Sequence, residues 1–277
     1  MKSSSNNTQL ILLSLLSVFL MSLVPVLIKA VQTNEITIGI IRLAIGAMGI
    51  FLLSLGKKQK LVNRGNIKWM LILGLVFSAH WFTYFKSLKM ATVSLGAIGV
   101  ATFGIHLLIF NWIFFKEPLQ KVDFFAVLIA LFGVFLVTPD EGINPDHFKG
   151  FLLAVLSGFL YACLPIINRK AKHLTTQQKA FGQFGFGLLF FAGFAPFGQW
   201  QLSSFDWLAL IILGIVCTLI AHTLWIKVSS ELPNSITATV YYFYVPIAMG
   251  FSYYIFDEEL TWQKLMGAGL IIFANIL

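Results

Sequence analysis

Ten runs of about fifteen to twenty-four mostly apolar residues follow one another along this chain, with short polar connections between them. A helix needs about 20 apolar residues to cross about 30 Å of hydrocarbon, and inside lipid every backbone N–H and C=O must find its partner within the segment. On that rule the expected spans are 9–29, 36–55, 67–87, 92–115, 122–138, 148–168, 178–197, 206–226, 234–256 and 263–277. The first run lacks a small-residue cleavage site and is too long for a signal peptide, so it reads as a retained helix. The last run reaches only about fifteen residues to Leu277, and reads either as a short helix or as one trimmed by the end of the chain. Composition agrees: 58% of the 277 residues are hydrophobic and 11% charged, against about 25% charged in soluble proteins.

The net charge of +8 finds its explanation in topology rather than in a nucleic-acid partner, since no basic run is interleaved with aromatics on a polar surface. Loops on the cytoplasmic side are enriched in lysine and arginine. With an internal amino terminus, Lys57, Lys58, Lys60, Arg64, Lys68, Arg169, Lys170, Lys172 and Lys179 all face the cytoplasm, together with Lys2, Lys116, Lys121 and Lys227. The other side receives Lys29, Lys86, Lys89, Lys149 and Lys264, and the acidic loop Asp140, Glu141 and Asp146. Both termini are therefore expected in the cytoplasm, with the chain in the cell inner membrane.

An internal repeat appears at a shift of 140 residues. LLSLLSVFLMSLVPVLIKA (12–30) lies over LLAVLSGFLYACLPIINRK (152–170), aligning Pro25 with Pro165 and Lys29 with Arg169. Leu73-Gly74 aligns with Leu213-Gly214. After one inserted residue, Phe115-Lys116-Glu117-Pro118-Leu119 aligns with Phe256-Asp257-Glu258-Glu259-Leu260. Five spans per half is an odd number, so the second copy enters the membrane in the opposite sense. The expected fold class is an all-α membrane protein of ten transmembrane helices in two inverted five-helix repeats, 1–142 and 143–277, forming one membrane domain around a central cavity. Such repeats are characteristic of secondary transporters, which bind substrate near the midplane.

Enzyme signatures for metal, nucleophile or phosphate chemistry do not occur, so no catalytic residue, metal or cofactor is expected. Cys163 and Cys217 fit neither a disulfide framework nor a zinc pattern. All eleven Asp and Glu fall in loops or at span ends. A carboxylate at the midplane is the usual proton carrier and the usual partner of a cationic substrate; without one, exchange of quaternary-ammonium drugs against a carboxylate is not expected. Facilitated diffusion, exchange and histidine-linked proton coupling stay open.

Polar and aromatic residues do occur within the spans. His80, Trp81 and Tyr84 lie on the third, Thr102 and His106 on the fourth, Tyr161 on the sixth, Thr218, His222 and Trp225 on the eighth, and Thr237, Tyr241 and Tyr244 on the ninth. Unpaired polar groups in hydrocarbon cost several kcal/mol, so these should face a cavity or one another. The candidate substrate-binding set is His80, Trp81, Tyr84, His106, Tyr161, His222, Trp225 and Tyr241, with aromatics packing on an apolar body and histidines and hydroxyls fixing a polar end. Each histidine reads equally well as a hydrogen-bonded packing residue. Tyr253, Tyr254 and Trp200 fit an interfacial belt. For Arg42 and Lys86 snorkelling is the plainer reading; the alternative is that one of them attracts a substrate carboxylate. Pro25, Pro165 and Pro246 are candidate hinges.

The segments IIRLAIGAMGIFLL (40–53), GLVFSAHWFTYFKSLKMATVSLGAIG (74–99), FFKEPL (114–119) and IFDEELT (255–261), in this order and spacing, resemble the EamA branch of the drug/metabolite transporter superfamily. The resemblance implies a ten-helix basket, alternating access, and transport of amino acids and related metabolites, with export the expected direction. It also implies a tryptophan eight residues before Lys29 and before Arg169, where this chain has Met21 and Tyr161. The expected partners are a small-molecule substrate and the lipid bilayer, with the protein a monomer or homodimer. A membrane-embedded enzyme would need clustered ligands or nucleophiles at one depth, and a scaffold protein larger loops.

Overall fold

The computed structural model describes residues 2–56, 60–118, 120–138, 144–232 and 234–277. Lys57, Lys58, Leu119, Asp140, Glu141 and the boundary at 142–143 lie outside them, as does the side chain of Lys2. Among the described residues the chain is helical and contains no strand.

The chain begins with α1 (Lys2–Met21) and α2 (Leu23–Ala30), which together form one rod broken at Ser22. There follow α3 (Glu35–Gly56), α4 (Ile67–Met90), α5 (Val93–Val100), α6 (Phe103–Phe115), α7 (Lys121–Val137) and α8 (Pro145–Lys170). Next, α9 (Thr176–Phe181) runs through a π-helical stretch, Gly182–Phe186, into α10 (Gly187–Ala192). A second rod joins α11 (Ser204–Ile212), the π-helical stretch Leu213–His222 and α12 (Thr223–Glu231). The last helices are α13 (Asn234–Tyr242), α14 (Tyr244–Phe256) and α15 (Trp262–Ile276).

Six rods are long and apolar enough to cross a membrane: Thr8–Ala30, Glu35–Gly56, Ile67–Met90, Val93–Phe115, Pro145–Lys170 and Ser204–Glu231. At 1.5 Å per residue each covers about 30 Å or more. Shorter or interrupted helices occupy the remaining four expected positions. Side chains confirm the solvent: Phe124, Phe125, Phe132 and Phe135 stand exposed on α7, as do Phe51, Leu52 and Leu53 on α3. In water such a surface would be an aggregation liability; in lipid it is matched to its surroundings.

Polar residues start and stop the helices. Thr175 and Gln178 form a reciprocal capping box before α9, and Ser203 and Asp206 form another before α11. Lys116 and Asp257 end α6 and α14 in the left-handed region, at φ 57° and 51°; they are the only non-glycine residues with positive φ among those described. They occupy the aligned positions of the FKEPL and FDEEL segments, and the following Glu117 and Glu258 N–H groups donate to Asn111 and Ser252 carbonyls, which also align. The similarity of sequence is thus a similarity of backbone. Packing obeys the same correspondence: α4 lies along α8, while the rod of α11–α12 lies along α1. Of the expected hinges, Pro25 and Pro246 each follow closely on a helix break, whereas Pro165 sits in the uninterrupted α8.

Small residues let the rods approach. A methyl group at Gly46 of α3 would come within 3.0 Å of Phe184 and Thr218, on the two π-helical stretches. Without a hydrophobic force between helices in lipid, close contact of this kind is a main source of association.

Candidate functional site

A cavity of about 640 Å³ opens on the side of the molecule that carries Arg169, Lys172 and Lys179. Its walls come from α6 (Phe103, Leu107, Asn111), α8 (Tyr161, Leu164, Pro165, Asn168), the α9 rod (Lys179, Gln183) and α12 (Trp225, Ile226, Ser229), with Thr237 of α13. That volume lies within the range of small-molecule sites, about 300–1,000 Å³. Lys179 is buried in the wall and donates to Ser230 Oγ at 3.3 Å.

Adjoining this cavity is a second, much smaller chamber of about 30 Å³, bounded by Met21, Val24, Arg42, His80, Trp81, Tyr84, Phe85, Val100, Tyr161, His222, Tyr241 and Tyr244. Tyr161 and His222 line both spaces and form the partition between them. Met21 and Tyr161, aligned by the 140-residue shift, both face this chamber.

Arg42 reaches the chamber from α3 and is 1% exposed. Its guanidinium lies 4.1 Å from the Trp81 ring centroid and 5.1 Å from that of Phe85. Nε donates to Thr218 Oγ1 at 3.0 Å, and Nη1 has no partner. Thr218 in turn donates to the Leu213 carbonyl at 2.8 Å, five residues back, a bond that the π-helical winding makes possible. The widened turn therefore aims the hydroxyl oxygen at Arg42. Gly46, one turn beyond Arg42, removes the side chain that would hold the two rods apart.

The other polar groups are tied to one another. His80 Nδ1 lies 3.0 Å from the Ser157 carbonyl and 2.7 Å from its Oγ, and Ser157 Oγ donates back to the His80 carbonyl at 3.1 Å. The hydroxyls of Tyr84 and Tyr244 bond each other. Tyr241 stacks on Tyr244 with centroids 5.6 Å apart, and Tyr161 stacks on His80 at 4.8 Å. His222 meets the edges of Phe77 and Trp81 and leaves Nδ1 without a partner.

The structure brings six of the eight expected residues to the chamber: His80, Trp81, Tyr84, Tyr161, His222 and Tyr241. Trp225 lies in the large cavity instead, packed 5.4 Å from Tyr241. His106 lines neither space; it sits half-buried against Phe159, 3.4 Å from Thr102 Oγ1. Snorkelling is wrong for Arg42, because its head group turns inward to Thr218 and Trp81 rather than outward to an interface. Lys86 does keep its head near water, 3.1 Å from Glu35. Neither α3 nor the α9 rod supplied a member of the expected set, yet Arg42 of α3 lines the chamber and Lys179 and Gln183 of the α9 rod line the large cavity. The one available signal for α3 was its arginine, a charge set inside an apolar span.

The opposite end of the bundle is tied shut by bonds between residues far apart in sequence. Gln32 N–H donates to Asp206 at 2.7 Å, Thr33 and Thr37 hydroxyls to the Gln199 carbonyl, and Asn34 to the Phe197 carbonyl. Lys29 donates to the Ala91 carbonyl at 2.6 Å and Lys89 to that of Val31. Glu258 accepts from Ser94 N–H at 3.1 Å and from Lys264 Nζ at 3.0 Å. Burial alone would raise its carboxyl, but the hydroxyls of Ser252 and Thr92 and the Lys264 ammonium hold it below the ordinary glutamate range.

The family model described as "EamA-like transporter family" matches this chain twice, over residues 8–138 and 148–277. No curated protein sequence matches. Among solved structures 26 chains match; one, described only as "Crystal structure of protein", superposes with a TM-score of 0.69 over 97% of this chain and 95% of its own, at 18% identity. That similarity is one of fold.

Proposed function

This chain belongs to the EamA-like transporter family, a family of membrane transporters, and on that premise we propose that it exports small amphipathic metabolites, amino acids or related carboxylates, by alternating access. Ten helices cross the inner membrane as two inverted repeats, 1–142 and 143–277, with both termini in the cytoplasm. The observation that carries this reading is the asymmetry of the bundle. One end admits solute to a 640 Å³ cavity that stops at Tyr161 and His222, while the other end is laced shut. The open end bears the arginines and lysines that positive-inside orientation assigns to the cytoplasm, so the state described accepts solute from within the cell.

Substrate would enter past Trp225, displace the partition and meet His80, Trp81, Tyr84 and Tyr241. Rocking of the repeats would then open the laced end. His106 has no direct part in this reading. Proteoliposomes and a panel of labelled amino acids and carboxylates, with and without a pH gradient, test it. Trp81→Ala or His222→Ala should lower transport about tenfold with normal expression; full activity in both variants would remove the site, and no transport of any panel member would remove the function.

A further inference from the structure

A guanidinium fully buried in a membrane-spanning segment is stable only if something compensates its charge. For Arg42 the protein supplies little. Among the described residues the ion pairs are Lys86–Glu35, Arg169–Glu117 and Lys264–Glu258, and none includes it. One neutral hydroxyl takes Nε, two aromatic faces take the plane, and Nη1 is left unpartnered while the residue borders the chamber. The missing partner is an anion, and the planar fork of arginine suits a carboxylate.

The same surroundings discriminate against a second, positive charge on the ligand. No carboxylate borders the chamber, Nδ1 of His80 is committed to Ser157, and the Trp81 face that could hold an ammonium is already covered by Arg42. The remaining polar groups, His222 Nδ1 and the Tyr161 hydroxyl, are buried without a partner but neutral, so they can hydrogen-bond a ligand and offer no negative charge to an ammonium. Deepening the reading above, and resting on it, we propose that Arg42 is the anion-binding residue of the transport site and that the substrate is an organic carboxylate with an apolar body and no positive charge, rather than a zwitterion. The chamber at 30 Å³ holds no more than about a water molecule. Binding therefore requires Tyr161 and His222 to swing aside and join it to the large cavity, whose lining sets Arg169, Lys172 and Lys179 against Glu231 and so carries an excess of positive charge that attracts anions.

Three probes with one ring and different charge test this in proteoliposomes: 3-phenylpropionate, L-phenylalanine and L-phenylalaninamide, at a pH of about 6.5 to 7, where the carboxylates are ionised and most of the α-amino groups protonated, with protein-free vesicles setting the passive background. The expected order places 3-phenylpropionate first and the amide at the level of protein-free vesicles. Arg42→Gln should lower 3-phenylpropionate uptake about tenfold or more, with Arg42→Lys recovering part of it. In detergent, 3-phenylpropionate should raise the melting temperature of the unaltered protein and the amide should not, a measurement that holds even if Arg42→Gln fails to fold. Uptake of phenylalanine or the amide as fast as the anion, or undiminished anion uptake by Arg42→Gln, overturns the inference and leaves the transporter standing. Absence of both uptake and thermal shift with 3-phenylpropionate also overturns it. If the wider amino-acid and carboxylate panel fails as well, the transporter reading falls with it.

Discussion

The two ends of the bundle carry the same device, a glutamate just after a left-handed helix stop, and use it differently. At the closed end the Glu258 side chain is only 7% exposed and holds Lys264, Ser252 and the N–H of Ser94. At the open end its counterpart Glu117 pairs with Arg169 alone, 2.5 Å away, both side chains 45% exposed. Arg169 also lies over the Phe115 ring at 3.8 Å. Similar local sequence produces similar turns, but whether the acid becomes a tight anchor or a loose surface pair depends on which end is shut. In an alternating-access cycle the two would exchange roles, because each stretch matched by the family model contributes one copy.

The largest expected effect is at the closed end. Glu258→Ala leaves Lys264 and the start of α5 without their acceptor and should cost about 3 kcal/mol, seen as a lower melting temperature in detergent. Equal stability in that variant would mean the closed end is not held there.

Next comes the packing between the ends. A methyl group on Gly74 would lie 2.6 Å from Phe186 Cβ and 2.8 Å from the Gly187 backbone nitrogen, neither of which can step aside without moving a helix. Gly74→Ala should cost about 2 kcal/mol, whereas Gly56→Ala, with nothing within 4 Å, should be neutral. A neutral Gly74→Ala would show the rods sliding freely and would weaken any mechanical link between the ends.

Acid should separate the two glutamates more gently. The Glu258 carboxyl titrates below its ordinary value in the folded protein, so its stabilisation is complete above the unfolded glutamate pKa, about 4.3, and is lost as pH falls through the lower folded value. The melting difference between the unaltered protein and Glu258→Gln should therefore be constant at neutral pH and shrink in acid. A difference that grows in acid would contradict that sign.

The smallest effect belongs to Glu117→Ala, which should cost less than about 1 kcal/mol because an exposed pair is screened by water and salt. If its cost matched that of Glu258→Ala, the ends would not differ energetically and the comparison would fail.

Some of this was readable from residues alone. The long apolar runs fall on helices, and the FKEPL and FDEEL correspondence reappears as paired left-handed turns at Lys116 and Asp257. Six of eight site candidates gather because a polar-aromatic stripe on a lipid-spanning helix has few other places to go. His106 shows where that inference stops: its stripe with Thr102 resembles that of His80 with Tyr84, yet its helix turns it toward Phe159. Arg42 shows the converse. Near a helix end a lone arginine reads as snorkelling, and only Thr218, 176 residues away, and Trp81 draw it inward.

Periodicity, hydropathy and charge placement act over neighbouring residues, so the sequence by itself determined the helices, their solvent, the repeat and the chain's expected orientation. Which end is closed, which faces converge and which charge is left without a partner depend on contacts between residues on different helices, many of them far apart in the sequence. Those contacts arise from packing shape, including a glycine gap at Gly46 and a widened turn at Thr218, and only the tertiary structure decided them.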